Sequence, residues 1–184
     1  MPSPEAPVDD VPLMSLLRED YDRHGREASR AGLHAVVVHR VGRRTMGHRQ
    51  LPQRIAHKLA KGAAVLVRNL YGIEIAFSVH LGRRVRIAHQ GMIVVNDACR
   101  IGNDCLLRHG VTLGAYSEER VDEVPELRDG VEVGVNAVVV GGVVIGEGAR
   151  IGPSALVFQD VPAGALALAA PARLATRRDA VQLA

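Results

Sequence analysis

Residues 145–150 read Ile-Gly-Glu-Gly-Ala-Arg, and residues 151–156 read Ile-Gly-Pro-Ser-Ala-Leu, so two six-residue units follow one another as near copies. Each unit starts with isoleucine, continues with glycine and places alanine four positions after the isoleucine. A period of six fits neither an amphipathic helix nor an alternating strand, and it indicates a structural repeat. Such a unit forms one short strand and one tight corner, and three units complete one triangular coil.

The same period extends through most of the chain after Gly72. Between Ile93 and Val95 the register slips by two residues, which predicts a deformation of the coil beside His89. We therefore predict a mainly β fold, a parallel β-helix of the hexapeptide-solenoid type preceded by a small α-helical region. The aliphatic residues in phase with the repeat are Ile75, Leu81, Ile87, Ile93, Val95, Ile101, Leu107, Leu113, Val133, Val139, Ile145, Ile151 and Val157.

Helical periodicity replaces the sixfold period in the first 72 residues. We predict helices from about Pro12 to Tyr21, from Ala31 to Arg43 and from Leu51 to Asn69, with Gly72 ending the third. The apolar face of the third helix is expected to contain Ile55, Leu59, Ala63 and Leu66. The predicted domains are a helical region over residues 1–72 with residues 1–10 disordered, a β-helix domain over residues 73–175, and a tail over residues 176–184.

A second interruption of the period covers residues 114–130, which we expect to leave the β-helix as a protruding loop. Long excursions from a rigid scaffold are frequently functional. This segment is also acidic, and its carboxylates belong to Glu118, Glu119, Asp122, Glu123 and Glu126.

The composition agrees with thin stacked coils, because aromatic residues make up only 3% of the 184 residues and hydrophobic residues 47%. The net charge of +3 is small, and the arginine-rich segments are not interleaved with aromatic residues that would stack on bases. We therefore expect no nucleic-acid partner. Cys99 and Cys105 are expected to fill the core rather than to bind metal. With no signal peptide and no long apolar run recognised, we expect no membrane partner and a cytoplasmic location.

Several motifs together resemble the serine O-acetyltransferases, which belong to the left-handed β-helix (hexapeptide-repeat) acyltransferases. The similarity covers roughly residues 15–175. It implies a left-handed coil, acetyl-CoA as co-substrate without a metal ion, and a homotrimer with active sites between neighbouring subunits, with a hexamer through the helical parts in some members. The motifs are Gly-Ile-Glu-Ile at 72–75, Ile-Ala-His-Gln-Gly-Met-Ile-Val-Val at 87–95, His-Gly-Val-Thr-Leu-Gly at 109–114, Asp-Val-Pro-Ala-Gly at 160–164, Pro-Ala-Arg at 171–173 and Gly-Leu-His-Ala-Val-Val-Val-His-Arg at 32–40.

The resemblance aligns His89 with the general base of the family and Glu74 with the carboxylate that orients it. These residue types suit the chemistry, because a hydroxyl is a weak nucleophile at neutral pH and a positioned imidazole can take its proton. A carboxylate beside the imidazole fixes its tautomer and stabilises the imidazolium that forms. A solvated residue at the junction of helix and coil is an equally good interpretation of Glu74.

His109 is a possible second base or substrate contact, and a binding or structural role is favoured for it. The resemblance also places the CoA arm along small residues of the coils. Corners of the coils need small residues in any case, and Arg173 either contacts a CoA phosphate or only decorates the terminus. The expected cofactor-binding positions are Gly114, Ala115, Gly134, Ala137, Gly152, Ala155 and Arg173.

Three positions depart from the pattern of the serine enzymes. Ala88 replaces the aspartate before the catalytic histidine, residues 123–125 read Glu-Val-Pro instead of Arg-His-Pro, and residues 114–115 read Gly-Ala instead of Gly-Gly. Carboxylates near the acceptor would repel a free carboxylate and attract a cation, although a merely solvated acidic loop is an even alternative. The residues of this acceptor loop expected to face the acceptor are Tyr116, Glu118, Asp122 and Glu123.

The leading hypothesis is acetyl transfer from acetyl-CoA to the hydroxyl of L-serine, as in cysteine biosynthesis. A second hypothesis keeps the acyltransferase but changes the acceptor to another hydroxyl or amine, on a sugar or a specialised metabolite. A third is a non-catalytic β-helix scaffold. A fourth, a metal-dependent hydratase, would require His80, His89 and His109 to converge on one ion.

Overall fold

The structure, a computed structural model, describes residues 7–172 and consists of three helices followed by a stack of short parallel strands. Short 3-10 turns at Val8–Asp10 and Glu118–Arg120 complete the helical elements. None of the helices in the described part has the length and apolar character needed to cross a bilayer. The helices are α1 (Leu13–Arg23), α2 (Ala31–Thr45) and α3 (Leu51–Tyr71).

The strands form three parallel sheets, one on each side of a triangular solenoid, which confirms the predicted β-helix. Sheet A has the order β1-β4-β7-β10-β13, sheet B the order β11-β8-β5-β2, and sheet C the order β14-β12-β9-β6-β3. The strands are β1 (Ile73–Ile75), β2 (His80–Leu81), β3 (Arg86–Ile87), β4 (Ile93–Val95), β5 (Arg100–Ile101), β6 (Leu106–Leu107), β7 (Thr112–Gly114), β8 (Glu126–Leu127), β9 (Glu132–Val133), β10 (Val138–Val140), β11 (Val144–Ile145), β12 (Arg150–Ile151), β13 (Leu156–Val157) and β14 (Leu166–Ala167).

Each six-residue unit buries two side chains, the aliphatic residue in phase with the repeat and the residue two positions before it. Leu107 and Cys105 form one such pair, and Ile101 and Cys99 form another. Alternate residues of a strand point to the same face, so both members of a pair enter the core. Burial raises the pKa of the Cys99 and Cys105 thiols to about 12. Both cysteines therefore act as small core residues, as predicted.

The helical region is fixed to the first coil by a buried ion pair between α1 and α2. The Arg40 guanidinium donates to the Asp20 carboxylate at 3.0 Å and also to the carbonyl oxygens of Leu81 and Gly82, at 2.5 and 2.6 Å. Burial raises the pKa of Asp20 although Arg40 acts in the opposite direction. Because the guanidinium also binds strand backbone, removing either partner would leave a buried charge unpaired.

Two expected boundaries differ in the structure. Residues 1–10 are not all disordered, because Val8–Asp10 form a 3-10 turn in which Val8 is buried. The loop predicted over residues 114–130 ends earlier, because Glu126–Leu127 form β8 and pair with β5 in sheet B. The excursion from the solenoid therefore covers residues 115–125.

The apolar face predicted for α3 is largely exposed to solvent in the single chain. Ile55, Leu59 and Leu66 are all exposed, Leu59 to 70%. The residues that α3 buries are Ala60 and Val67, because α3 contacts α2 and β1 through a face of smaller side chains. The helix thus carries two apolar faces, and only its packing partners decide which one is covered.

Candidate functional site

The corner between β3 and β4, residues 88–92, carries the deformation that the sequence predicts. Val95 follows Ile87 by eight residues, whereas Leu113 follows Leu107, the residue stacked on Ile87, by six. The two additional residues therefore lie in the corner itself and not between Ile93 and Val95, which are both buried in β4. The backbone turns there through positive φ angles of 111° at Gly91 and 51° at Met92.

His89 and His109 occupy stacked corners on the same edge of the solenoid. Their imidazole rings lie edge to face, with centroids 5.6 Å apart and an interplanar angle of 77°. The Gly110 N–H donates to the Gly91 carbonyl at 2.9 Å and joins the two corners. His89 is exposed, whereas Nδ1 of His109 is shielded from solvent and has no hydrogen-bond partner in the described residues. The two predicted histidines thus form one pair with one solvent-facing member.

This edge, where sheet C passes into sheet A, is called the C–A edge here. The corners that form it are residues 88–92, 108–111, 134–137 and 152–155. Two of the predicted cofactor-binding glycines, Gly134 and Gly152, lie on it in the coils after His109. A groove of about 400 Å³ beside them is lined by Arg108, Glu132, Gly134, Arg150, Gly152 and Pro153, among others.

The stacking of the coils requires a glycine at 134 and leaves little space for a side chain at 152. A Cβ atom on Gly134 would lie 2.7 Å from the Ile151 carbonyl oxygen, and one on Gly152 would lie 2.8 Å from Cδ2 of Leu168. The alternative noted for them, that corners need small residues, therefore explains Gly134 without a ligand, whereas at Gly152 the nearest atom belongs to the exposed side chain of Leu168. The groove also contains Arg108 and Arg150, and Nη2 of Arg150 lies 3.6 Å from Oε1 of Glu132. The sequence analysis missed both arginines. No local sequence pattern identified Arg108 and Arg150, because the edge of the prism on which a residue lies depends on the total length of the insertions before it.

Ala137 and Ala155 do not line this groove, contrary to the prediction. They are 0% and 3% exposed, and their side chains point into the core. Each stands two positions before a buried valine, Val139 or Val157, so the alternation of a strand already placed them inside. Gly114 is the last residue of β7 and Ala115 follows it, at the side of sheet A away from the C–A edge, and Arg173 lies outside the described residues.

Glu74 lies on β1 in register with Val94, and its side chain is exposed. Its nearest cation is Arg68 of α3, with Nη1 of Arg68 4.0 Å from Oε1 of Glu74. In the described residues no hydrogen bond joins Glu74 to His89. Glu74 also lines a cleft of about 400 Å³ between α2, α3 and sheet A, together with Lys61, Asp97 and mainly apolar residues.

The acidic loop leaves the solenoid from a different edge, where sheet A passes into sheet B. In it the Arg120 guanidinium lies 5.3 Å from the centre of the Tyr116 ring and pairs with Glu123 at 3.2 Å. The side chains of Glu118 and Asp122 are exposed. The loop and the two histidines of one chain are therefore on different edges, and the described residues show no hydrogen bond or ion pair between them.

Metal-ligating residues do not converge in the described part of the chain. Within residues 7–172 no three His, Cys, Asp or Glu side chains are close enough to hold one metal ion. Of the three histidines considered for such a site, His80 lies on β2 in sheet B. His89 and His109 lie on the C–A edge.

Comparison with known proteins gives a family-model match and many similar sequences. The model described as bacterial transferase hexapeptide (six repeats) matches residues 125–159. The chain is 33% identical over 146 residues to a serine acetyltransferase of Helicobacter pylori, with 79% of this chain and 82% of that protein covered. It is 32% identical over 144 residues to a serine acetyltransferase of Bacillus licheniformis, covering 78% of this chain but only 64% of that protein's length.

Solved structures show the same architecture. A Neisseria gonorrhoeae serine acetyltransferase in complex with serine superposes with a TM-score of 0.70 at 27% identity, covering 88% of this chain and 68% of that one. A serine acetyltransferase in complex with CoA superposes with a TM-score of 0.71 at 25% identity, also covering 88% of this chain and 68% of that one. The resemblance stated from the motifs is thereby confirmed.

Proposed function

Because this chain belongs to the serine acetyltransferase family, we propose that it transfers the acetyl group of acetyl-CoA to the hydroxyl of a small acceptor, with L-serine as the first candidate. The observation that carries the proposal is the His89–His109 pair, which shares one edge with a glycine-lined, arginine-bearing groove. Relatives crystallised with CoA and with serine support both substrates.

In the proposed reaction His89 is the general base. Its ring takes the proton of the acceptor hydroxyl while the oxygen attacks the thioester carbonyl. The C–O bond forms, the C–S bond breaks, and the departing sulfur receives the proton from the His89 imidazolium. Backbone amides of the coil stabilise the oxyanion of the tetrahedral intermediate. His109 packs against His89, and it either fixes the orientation of the His89 ring or contacts the substrate. In this proposal Glu74 orients His89, which requires the Glu74 side chain to move away from Arg68.

The proposed donor site runs along the C–A edge beyond His109. Arg108 and Arg150 provide positive charge there, and Gly134 and Gly152 keep the surface low enough for an extended pantetheine arm. Guanidinium groups suit the phosphates of CoA because they can bind two oxygens at once. The cytoplasm, where acetyl-CoA is available, is the compartment in which we place the reaction.

We further propose that the active unit is a homotrimer. The outward residues of sheet A that follow Glu74 in register are largely apolar, whereas sheet B presents His80, Arg100 and Glu126. Sheet C also presents charged residues, among them Arg86 and Arg150. An apolar outer face that is confined to one side of a prism indicates contact with another copy. A neighbouring copy would also bring an acidic loop toward the C–A edge, which the loop of the same chain does not occupy. The outward residues of sheet A are Val94, Thr112, Val138 and Leu156.

A hexamer is a further possible assembly of such trimers through the helical parts. The exposed face of α3 offers an apolar surface for that contact, with Leu59 exposed to 70%. We keep the trimer as the active unit, because its proposed interface, the outer face of sheet A, adjoins the C–A edge on which His89 lies.

A second candidate function changes the acceptor. Ala88 stands where the family has an aspartate, and the loop has Glu123-Val124-Pro125 where the family has Arg-His-Pro. The exposed carboxylates of Glu118 and Asp122 favour an acceptor with a cationic amine and without a free carboxylate. Ethanolamine tests this directly, because it is serine without the carboxylate, and D-glucosamine represents amino sugars.

The deciding experiment follows CoA thiol release from acetyl-CoA with each acceptor in turn. Transfer to L-serine with a kcat/KM above that for ethanolamine and D-glucosamine supports the first candidate, and the reverse order supports the second. His89→Ala must abolish release in either case. If the purified protein releases no thiol with any acceptor, it is a non-catalytic scaffold.

A further inference from the structure

A buried histidine outside the proposed active site, His24, contacts the backbone next to the corner that carries His89. His24 follows α1 directly and is 0% exposed. Its Nε2 atom accepts a hydrogen bond from the Ile87 N–H at 3.3 Å, and its Nδ1 atom lies 2.7 Å from the Asp20 carbonyl oxygen. Since a backbone N–H can only donate, Nε2 carries no proton, and Nδ1 is the nitrogen that donates to Asp20.

Ile87 needs this acceptor because β3 is the terminal strand of sheet C. The N–H groups on either side of Ile87 donate to the next coil, Arg86 to Cys105 and Ala88 to Leu107, each at 2.9 Å. Within residues 7–172 no further strand lies beyond β3 in sheet C to accept from Ile87 itself. A buried N–H without an acceptor costs about 1–3 kcal/mol, so His24 takes the place of the missing strand.

The helical region also approaches the same residue from α2. Gly32 lies so close to Ile87 that a Cβ atom on Gly32 would collide with the Ile87 carbonyl oxygen. His24, which follows α1, thus fixes the N–H group of Ile87, and Gly32 of α2 packs against its carbonyl group. The next residue, Ala88, begins the five-residue corner that contains His89.

The other end of that corner contacts Gly72, which ends α3: the Ile93 N–H donates to the Gly72 carbonyl at 2.8 Å, and a Cβ atom on Gly72 would lie 2.9 Å from the Met92 nitrogen. The corner is joined to the following coil by the Ala88 N–H, which donates to Leu107, and by the Gly91 carbonyl, which accepts from Gly110, both at 2.9 Å. A loop with two additional residues has more conformational freedom than the corner stacked on it. The position of His89 therefore depends on how firmly both ends of the corner are fixed, and Ile87 is the end nearer to His89.

We propose that His24 is a positioning residue that holds the His89 corner in its active geometry through the Ile87 N–H. The proposal rests on the function proposed above, in which His89 is the base. A displacement of about 1 Å at a reacting group can lower the rate by a factor of roughly 100. Nothing in the family motifs includes His24.

The surroundings of His24 keep the accepting nitrogen unprotonated at neutral pH. Burial lowers the pKa of His24, and the positive charges of Arg86 and Arg30 act in the same direction. The Asp20 carbonyl and carboxylate act in the opposite direction, and the carboxylate is itself paired with Arg40. Burial and these charges thus favour the neutral ring, and the Asp20 carbonyl oxygen, which can only accept, keeps its remaining proton on Nδ1.

The test compares His24→Gln with His24→Asn. The glutamine amide oxygen reaches the place of Nε2, whereas the asparagine amide is one bond shorter and does not reach Ile87. Both variants are polar and similar in size, so their folding costs are comparable. Arg43→Met is the control, because Arg43 joins α2 to the Ser78 carbonyl at 3.1 Å, at another corner of the first coil.

Two measurements are made on each variant at pH 7.5, namely kcat and KM from thiol release and hydrogen–deuterium exchange of the peptide spanning residues 87–93. We expect His24→Asn to lower kcat about 10- to 100-fold with KM for acetyl-CoA within about twofold, and to speed exchange in that peptide. His24→Gln should retain most of kcat and protection, and Arg43→Met should change neither.

The proposal is overturned if His24→Asn and His24→Gln lose equal activity, or if exchange of residues 87–93 is the same in His24→Asn and in the unsubstituted protein. The exchange measurement needs no substrate, so it decides whether His24 holds the corner even if the protein releases no thiol at all. Failure of the proposed function and failure of this inference are therefore distinguishable.

Discussion

The imidazole rings of His89 and His109 pack edge to face, 5.6 Å between centroids, because consecutive coils stack one corner on the other. Only His89 of the two is exposed. A proton acceptor must reach the substrate, so this difference supports the proposal that His89 is the base and that His109 has a supporting role.

His89→Asn should lower kcat by about 10²- to 10⁴-fold, the usual contribution of a general base. His109→Asn should cost roughly tenfold or less, because the base remains. Steady-state thiol release measures both. His80→Asn, on β2 in sheet B, is the control and should stay within about twofold of the unsubstituted protein. A larger loss in His109→Asn than in His89→Asn would exchange the two roles.

A charge on the outer face of sheet A should disrupt the proposed trimer. Leu156→Glu places a carboxylate in the apolar row that also contains Val94 and Val138, and burying it unpaired is costly. Leu166→Glu is the control for the effect of the added charge on oligomeric mass, because Leu166 is similarly exposed but points outward from sheet C. Sedimentation velocity should give a trimer for the unsubstituted protein and Leu166→Glu, and smaller species for Leu156→Glu. A trimeric Leu156→Glu would contradict the proposed interface.

The close approach of α2 to the solenoid should make Gly32 intolerant of any side chain. Gly32→Ala forces a methyl group against the Ile87 carbonyl and should lower the free energy of unfolding by about 1–3 kcal/mol or more. Gly62→Ala is the matched control in α3, where nothing lies within 4 Å of the added Cβ. It should raise stability by up to about 1 kcal/mol, since alanine favours the helix over glycine. Urea denaturation of both variants gives the comparison, and equal effects would mean that α2 does not press on Ile87.

Buried histidines should make the protein sensitive to acid. Burial lowers the pKa of His39 to about 3 and also lowers the pKa of His24. The unfolded chain takes up these protons near pH 6.5, whereas the folded chain does not. The free energy of unfolding should therefore fall as the pH drops below 6.5, by up to about 1.4 kcal/mol per pH unit for each histidine.

Urea denaturation at pH 5 and pH 7.5 measures this dependence. His39→Gln removes the contribution of His39 and should show a smaller difference between the two pH values than the unsubstituted protein. The hydrogen bond from His39 Nε2 to the Val79 carbonyl, 3.2 Å long, is one that glutamine can also donate. An unchanged difference would show that His39 is protonated in the folded protein at pH 5.

Much of the fold follows from local pattern. The period of six, the inward aliphatic residues and Gly72 as the end of α3 are all readable along the chain, because each depends on neighbours within one coil or one helical turn. The motif around His89 and the two-residue slip beside it were also visible. Burial of Ala137 and Ala155 could have been predicted from strand alternation, although the sequence analysis assigned them to the cofactor.

The sequence by itself therefore determined the repeat, the family and the identity of the histidine at the deformed corner. Only the tertiary structure decided which edge each corner occupies, because every insertion shifts all later residues around the prism. That shift places His109, Gly134 and Gly152 on the edge of His89 and the acidic loop on another. Packing between distant elements likewise decided which face of α3 is buried and brought His24 to Ile87, and no periodicity within the chain encodes such contacts.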